Sequence, residues 1–124
     1  MRWLLLIAAA LLIVGCEKDP TSPSSSGNVA VQLMSDSKTP YADVRLYHSL
    51  AIGENPVGSA VHVVQGQTYT FQNVPTGTIT AAYDVYDVAN GRPSEGWACQ
   101  FNLASGEVKT MLFTSSSMLA NCPQ

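Results

Sequence analysis

Charge is scarce in this sequence. Lysine and arginine together number 6 and aspartate and glutamate 9, so charged residues make up only 12% of the 124. No basic cluster occurs, which excludes the electrostatic footprint of a nucleic-acid binder. Histidine is nearly missing, with His48 and His62 alone. Neither a His-Glu-x-x-His, a Gly-x-Ser-x-Gly nor a phosphate-cradling glycine loop is present, so zinc-protease, serine-hydrolase and P-loop chemistry lack their residues. Both histidines read as structural, and no catalytic residue is expected. No internal repeat and no sustained helical periodicity are visible. Long apolar runs are limited to one, Trp3 to Val14. As a helix it would measure about 18 Å, short of a hydrocarbon core of roughly 30 Å.

What is there begins at the N-terminus. A positive start, Met1-Arg2, precedes the apolar run, whose length suits the h-region of a signal peptide. The run ends in Ile13-Val14-Gly15-Cys16, which resembles the lipobox of bacterial lipoproteins. The resemblance implies that residues 1–15 are a signal peptide cut between Gly15 and Cys16. It also implies that Cys16 carries a diacylglyceryl thioether and a freed amine open to acylation by a palmitate-like chain. A thiolate is the nucleophile such alkylation needs, and each buried lipid CH₂ contributes about 0.8 kcal/mol, so two or more chains anchor stably. The competing readings are an ordinary signal peptide with an incidental cysteine, and an uncleaved anchor. Glu17 stands where an Asp would resemble an inner-membrane retention signal, so in a Gram-negative host the outer membrane is the expected destination, on its periplasmic side or at the surface. Glu17-Lys18-Asp19 is similar to short surface-export signals of some envelope lipoproteins, with a solvated tether as the plainer reading.

Residues 17–28 contain no large apolar side chain and are rich in Ser and Pro. Such a segment cannot bury surface to offset its ordering entropy. Lipidated Cys16 and this tether form one unit, 16–28, ahead of a domain over 29–124. Without Arg2, five basic residues face nine acidic ones.

From Val29 onward the pattern has period two. Val29, Val31 and Leu33 alternate with polar or small neighbours; so do Ala42, Val44 and Leu46. Val57, Ser59, Val61 and Val63 make a looser run. Tyr69 and Phe71, then Ile79, Ala81, Tyr83 and Val85, then Trp97, Cys99, Phe101 and Leu103 continue the series. The last run, 108–113, leaves its apolar side undecided between Val108, Thr110 and Leu112 and Lys109, Met111 and Phe113. Turn residues fall between the runs: Lys38-Thr39-Pro40, Asn55-Pro56, Gln65-Gly66, Pro75-Thr76-Gly77, Asn90-Gly91 and Ser105-Gly106. This spacing predicts an all-β domain, a single antiparallel β-sandwich of about seven strands with Greek-key, Ig-like connections.

One stretch, Gly66-Gln67-Thr68-Tyr69-Thr70-Phe71-Gln72-Asn73-Val74-Pro75-Thr76-Gly77-Thr78-Ile79-Thr80, resembles the core motif of carboxypeptidase-regulatory-like, transthyretin-like domains. There an aromatic strand runs into Asn-hydrophobic-Pro-x-Gly and a second strand. Thr39-Pro40-Tyr41-Ala42-Asp43-Val44-Arg45-Leu46 is similar to that family's early strand. The resemblance implies a transthyretin-like sandwich. Within the motif, Pro75 presets φ and Gly77 supplies the positive φ of a sharp reversal.

With Cys16 assigned to lipid, Cys99 and Cys122 remain. In an oxidising compartment they read as a disulfide, contributing about 3 kcal/mol in the chain-entropy account; a metal or redox pair lacks Cys-x-x-Cys spacing and a nearby His. Asp84, Asp87 and Asn90 offer three oxygen ligands near a glycine turn, but without EF-hand spacing. Solvated turn residues are the plainer reading, and no metal or other cofactor is expected. By parity Tyr47 and Tyr86 should point outward, and Tyr86 and Arg92 flank the Asp84–Pro93 loop. Exposed tyrosines can stack on sugars or anchor a protein, which makes Tyr47, Tyr86 and Arg92 the candidate binding residues. Trp97 shares the parity of Cys99 and Phe101 and is expected in the core. The functional expectation is a lipid-anchored, non-enzymatic envelope module that binds a protein or glycan, or serves structurally. A carbohydrate-binding accessory is the alternative and an envelope hydrolase a remote one. The membrane, reached through the N-terminal lipid, and an envelope protein or glycan are the expected partners.

Overall fold

A computed structural model describes residues 25–124 of the chain. The signal peptide, Gly15, Cys16 and most of the expected tether lie outside the described residues. Seven strands make up the domain: β1 Ser26–Leu33, β2 Tyr41–Tyr47, β3 Pro56–Val64, β4 Thr68–Pro75, β5 Gly77–Asp87, β6 Arg92–Leu103 and β7 Val108–Phe113. They form two sheets, ordered β4-β1-β7 and β3-β2-β5-β6. The predicted all-β sandwich is the observed fold. Every pairing is antiparallel except one, because β1 and β7 run parallel.

Alternation explains the layering. Successive side chains on a strand point to opposite faces, so one apolar set per strand turns inward. Val29, Val31 and Leu33 of β1 and Met111 and Phe113 of β7 face Val44 and Leu46 of β2 and Ile79, Ala81, Tyr83 and Val85 of β5, all buried. The ambiguity of the last strand is thereby settled: Met111 and Phe113 face inward, whereas Val108 is exposed.

Two strands are longer than their apolar alternation. β1 starts at Ser26, ahead of Val29, because its first residues bond to the β6–β7 turn: Asn28 N–H donates to Glu107 C=O at 2.8 Å and Gly106 N–H to Ser26 C=O at 2.9 Å. Gly27 is required there, since a Cβ would fall 2.7 Å from the Glu107 carbonyl oxygen. β6 starts at Arg92 rather than near Trp97. Its first half carries Pro93 and Gly96, which hide the alternation, and a register shift opposite Tyr83 and Val85 marks a bulge.

The Asn73-Val74-Pro75-Thr76-Gly77 stretch carries the chain from one sheet to the other. Asn73 (φ 56°) and Gly77 (φ 118°) both adopt positive φ. The His48 ring holds this crossover, its Nε2 donating to the Thr76 carbonyl at 2.7 Å. That is the structural role expected of His48.

Candidate functional site

The outer face of the four-stranded sheet carries three of the candidate residues, Tyr47, Asp84 and Tyr86. On β2, Tyr41, Asp43, Arg45 and Tyr47 share that face; on β5 it is Thr80, Ala82, Asp84 and Tyr86, aligned with them by register. The two tyrosines of the sequence reading lie at opposite ends of it. Tyr47 pairs with Thr80, six residues from Tyr86 and thus about 20 Å away.

Tyr47 is not an exposed binding residue. Its parity is outward as expected, but it is only 9% accessible. The segment 48–55 arches over this end of the sheet. Thr80, wholly buried, donates its hydroxyl to the Ser49 carbonyl at 2.7 Å, and Gln100 Nε2 donates to the Leu50 carbonyl at 2.8 Å. Parity fixes which face a side chain takes, not what covers that face.

At the other end Tyr86 is half-buried beside Tyr41, ring centroids 6.1 Å apart, and Tyr41 lies 5.1 Å from the His62 ring of β3. A row Tyr86–Tyr41–His62 therefore crosses three strands. A single buried threonine aligns it. The Thr39 hydroxyl accepts the Tyr86 N–H at 3.0 Å and donates to the Tyr41 carbonyl at 2.8 Å, pinning the start of β2 to the end of β5. His62 stands opposite Asp43, its Nδ1 donating to Oδ1 at 2.6 Å with both side chains about half exposed. Arg45 is exposed two residues further along β2. The face thus offers aromatic surface flanked by a carboxylate, an imidazole and a guanidinium. Tyr41 was missed in the sequence because it abuts Pro40 in a turn signal; its shared parity with Asp43 and Arg45 was the available clue.

The three oxygen ligands around the β5–β6 hairpin do not converge. Asp84 Oδ1 accepts the Gly96 N–H at 3.1 Å and so supports the β6 bulge. Asp87 and Asn90 close the turn on themselves, Asn90 N–H donating to Oδ1 at 3.2 Å and its amide to Oδ2 at 2.6 Å. The Asn90 amide hydrogen bond holds the Asp87 carboxyl below the usual carboxylate range. Among the described residues no group of three His, Cys, Asp or Glu side chains could hold a metal ion. Arg92 is exposed opposite Asp87, so it belongs to the hairpin.

Trp97 departs from expectation. It pairs with Tyr83 in register, but it lies on the outermost strand just past the bulge and is 37% exposed. Its indole N–H donates to Ser94 Oγ at 2.9 Å. Cys99 and Cys122 form a disulfide with Cα atoms 5.4 Å apart.

A concavity opens between the two sheets where β3 and β4 form their margins. This cleft, about 390 Å³, is lined by Val57, Gly58, Ser59 and Val61 on one side and Tyr69, Phe71, Gln72 and Asn73 on the other. No charged side chain lines it. Comparison with protein families, with curated proteins and with solved structures yields no match to this chain.

Proposed function

We propose that this chain is a lipid-anchored lipoprotein of the bacterial cell envelope whose sandwich is a non-enzymatic binding module. The observation that carries the binding role is the row Tyr86–Tyr41–His62, flanked by Asp43 and Arg45, on the outer face of the four-stranded sheet. The lipobox-like Ile13-Val14-Gly15-Cys16 supports the anchor, and a disulfide fits an oxidising compartment. His48 is committed to a backbone carbonyl, and His62, bonded to Asp43 through Nδ1, contributes its ring to the aromatic row.

A glycan-binding reading is the second one, favoured by the composition of this face. Aromatic rings stack on the apolar faces of sugars, and flanking carboxylate and guanidinium groups satisfy hydroxyls. A glycan array tests it with the wild-type chain, Tyr41→Ala and Tyr86→Ala. The expected outcome is retention by wild type and a roughly five- to tenfold loss in each variant. Equal binding by all three removes this face as the site. Intact-mass spectrometry of the natural protein tests the anchor separately: an unmodified Cys16, or residues 1–15 still attached, removes it.

A further inference from the structure

We infer that β4 is a self-pairing edge through which two copies of this chain join their three-stranded sheets. β4 bonds to β1 on one side only. The Leu33 N–H donates to the Gln67 carbonyl, and the register continues Val31 opposite Tyr69 and Val29 opposite Phe71. Hydrogen-bonded pairs alternate along an antiparallel ladder. Thr68, Thr70 and Gln72 therefore aim their backbone N–H and C=O away from β1, and none of these groups has a partner among the described residues.

Proteins protect such edges with charges, prolines, glycine kinks or bulges. β3, the neighbouring edge, has Gly58 at φ 71° and a register shift opposite Val44 and Leu46. From Thr68 to Gln72, β4 has no charge, glycine or proline, and it pairs regularly with β1 from Thr68 to Phe71; its one register shift comes after Phe71 and before Val74.

The sequence of that run is also complementary to itself. Two copies laid antiparallel about Thr70 place Thr70 opposite Thr70 and Thr68 opposite Gln72, all with outward-facing backbone groups. Tyr69 then meets Phe71 of the second copy on the cleft side. Hydroxyls face hydroxyls or amides, aromatic rings face aromatic rings, and no like charges oppose each other, which are the favourable cross-strand combinations. Tyr69, 44% exposed in the single chain, gains a cover. The contact is the same patch on both copies, so it closes as a two-fold dimer with a continuous six-stranded sheet.

Cysteine trapping in the full chain tests this. Thr70→Cys would face its counterpart with Cα atoms about 5.5 Å apart, within disulfide reach. Mild oxidation should move most of Thr70→Cys to twice the monomer mass on a non-reducing gel, above the wild-type background, while Glu95→Cys on exposed β6 stays at that background. Wild type should sediment as a dimer, and Thr70→Lys as a monomer with unchanged far-ultraviolet circular dichroism. The inference is overturned if Thr70→Cys cross-links no better than Glu95→Cys. It is equally overturned by a dimer that survives Thr70→Lys, or by a monomeric wild type whose β4 instead takes up an added extended peptide. None of these readouts depends on the state of Cys16 or on the Tyr41 face.

Discussion

The two long margins of the sandwich are finished in different ways. Where β6 and β7 meet, the C-terminal tail closes the gap. Asn121 pairs with Leu112 through two backbone hydrogen bonds, Cys122 is bonded to Cys99, and the Ala120 N–H donates to the Tyr83 hydroxyl at 3.0 Å. Met118, Leu119 and Ala120 add apolar cover, and Lys109 ties the last residue through the Gln124 carbonyl. Where β3 and β4 meet, among the described residues no tail returns and no covalent link exists, and an uncharged cleft remains. A domain this small gains much from a staple. Placing it at one margin secures the core there and leaves the other margin available for association.

The largest expected effect separates the two margins directly. Phe113, wholly buried, meets Tyr83 edge-to-face with centroids 5.4 Å apart. Phe113→Ala should cost about 3–5 kcal/mol, the range for a buried aromatic truncation. Tyr69, on the open margin, makes a similar edge contact with Phe71 at 5.1 Å but keeps 44% of its surface. Tyr69→Ala should cost about 1 kcal/mol in the monomer. Urea unfolding at low protein concentration measures both. Equal costs would show that the open margin is covered after all.

Next comes the staple. Cys99→Ser with Cys122→Ser should lower stability by about 3 kcal/mol in the chain-entropy account, or roughly 12–20 °C in melting temperature for a domain of this size. The released tail, residues 115–124, should become the first site of limited proteolysis. A double variant that melts with the wild type and keeps its tail protected would mean that the hydrogen bonds and apolar contacts alone close this margin.

Most of the sandwich was legible because strand faces follow a two-residue period. The runs beginning at Val29, Ala42 and Ile79 place their buried residues without further information, and the Cys99–Cys122 pair follows from the number of cysteines and the supposed compartment. The misses share one cause: they depend on how segments are arranged over the sheet, which strand parity does not carry. Tyr47 has the outward parity but is roofed by the 48–55 segment. Trp97 has the inward parity but sits on a margin strand beyond a bulge that Pro93 and Gly96 obscure. Asp84 looked like a ligand in a loop and is instead the acceptor that supports that bulge. The row of Tyr86, Tyr41 and His62 needs three strands in register, and Thr39, the buried hydroxyl that aligns two of its members, reads in sequence as an ordinary turn residue beside Pro40.

A smaller effect than the loss of the staple concerns how the closed margin responds to pH. Burial pushes the Tyr83 phenol above its ordinary value near 10, opposed in part by the Ala120 N–H. The folded state therefore favours the neutral phenol. Its contribution is fully present below about pH 10 and is lost as pH rises through the folded-state value. Tyr83→Phe should cost about 1–2 kcal/mol at neutral pH, because the Ala120 N–H loses its acceptor in a partly buried site. Above pH 10 the wild type should lose stability faster than the variant, so the gap between them narrows. Parallel pH curves for the two proteins would show that the phenol does not couple the tail to the core through its proton, leaving the disulfide, the backbone hydrogen bonds and the apolar contacts to hold this margin.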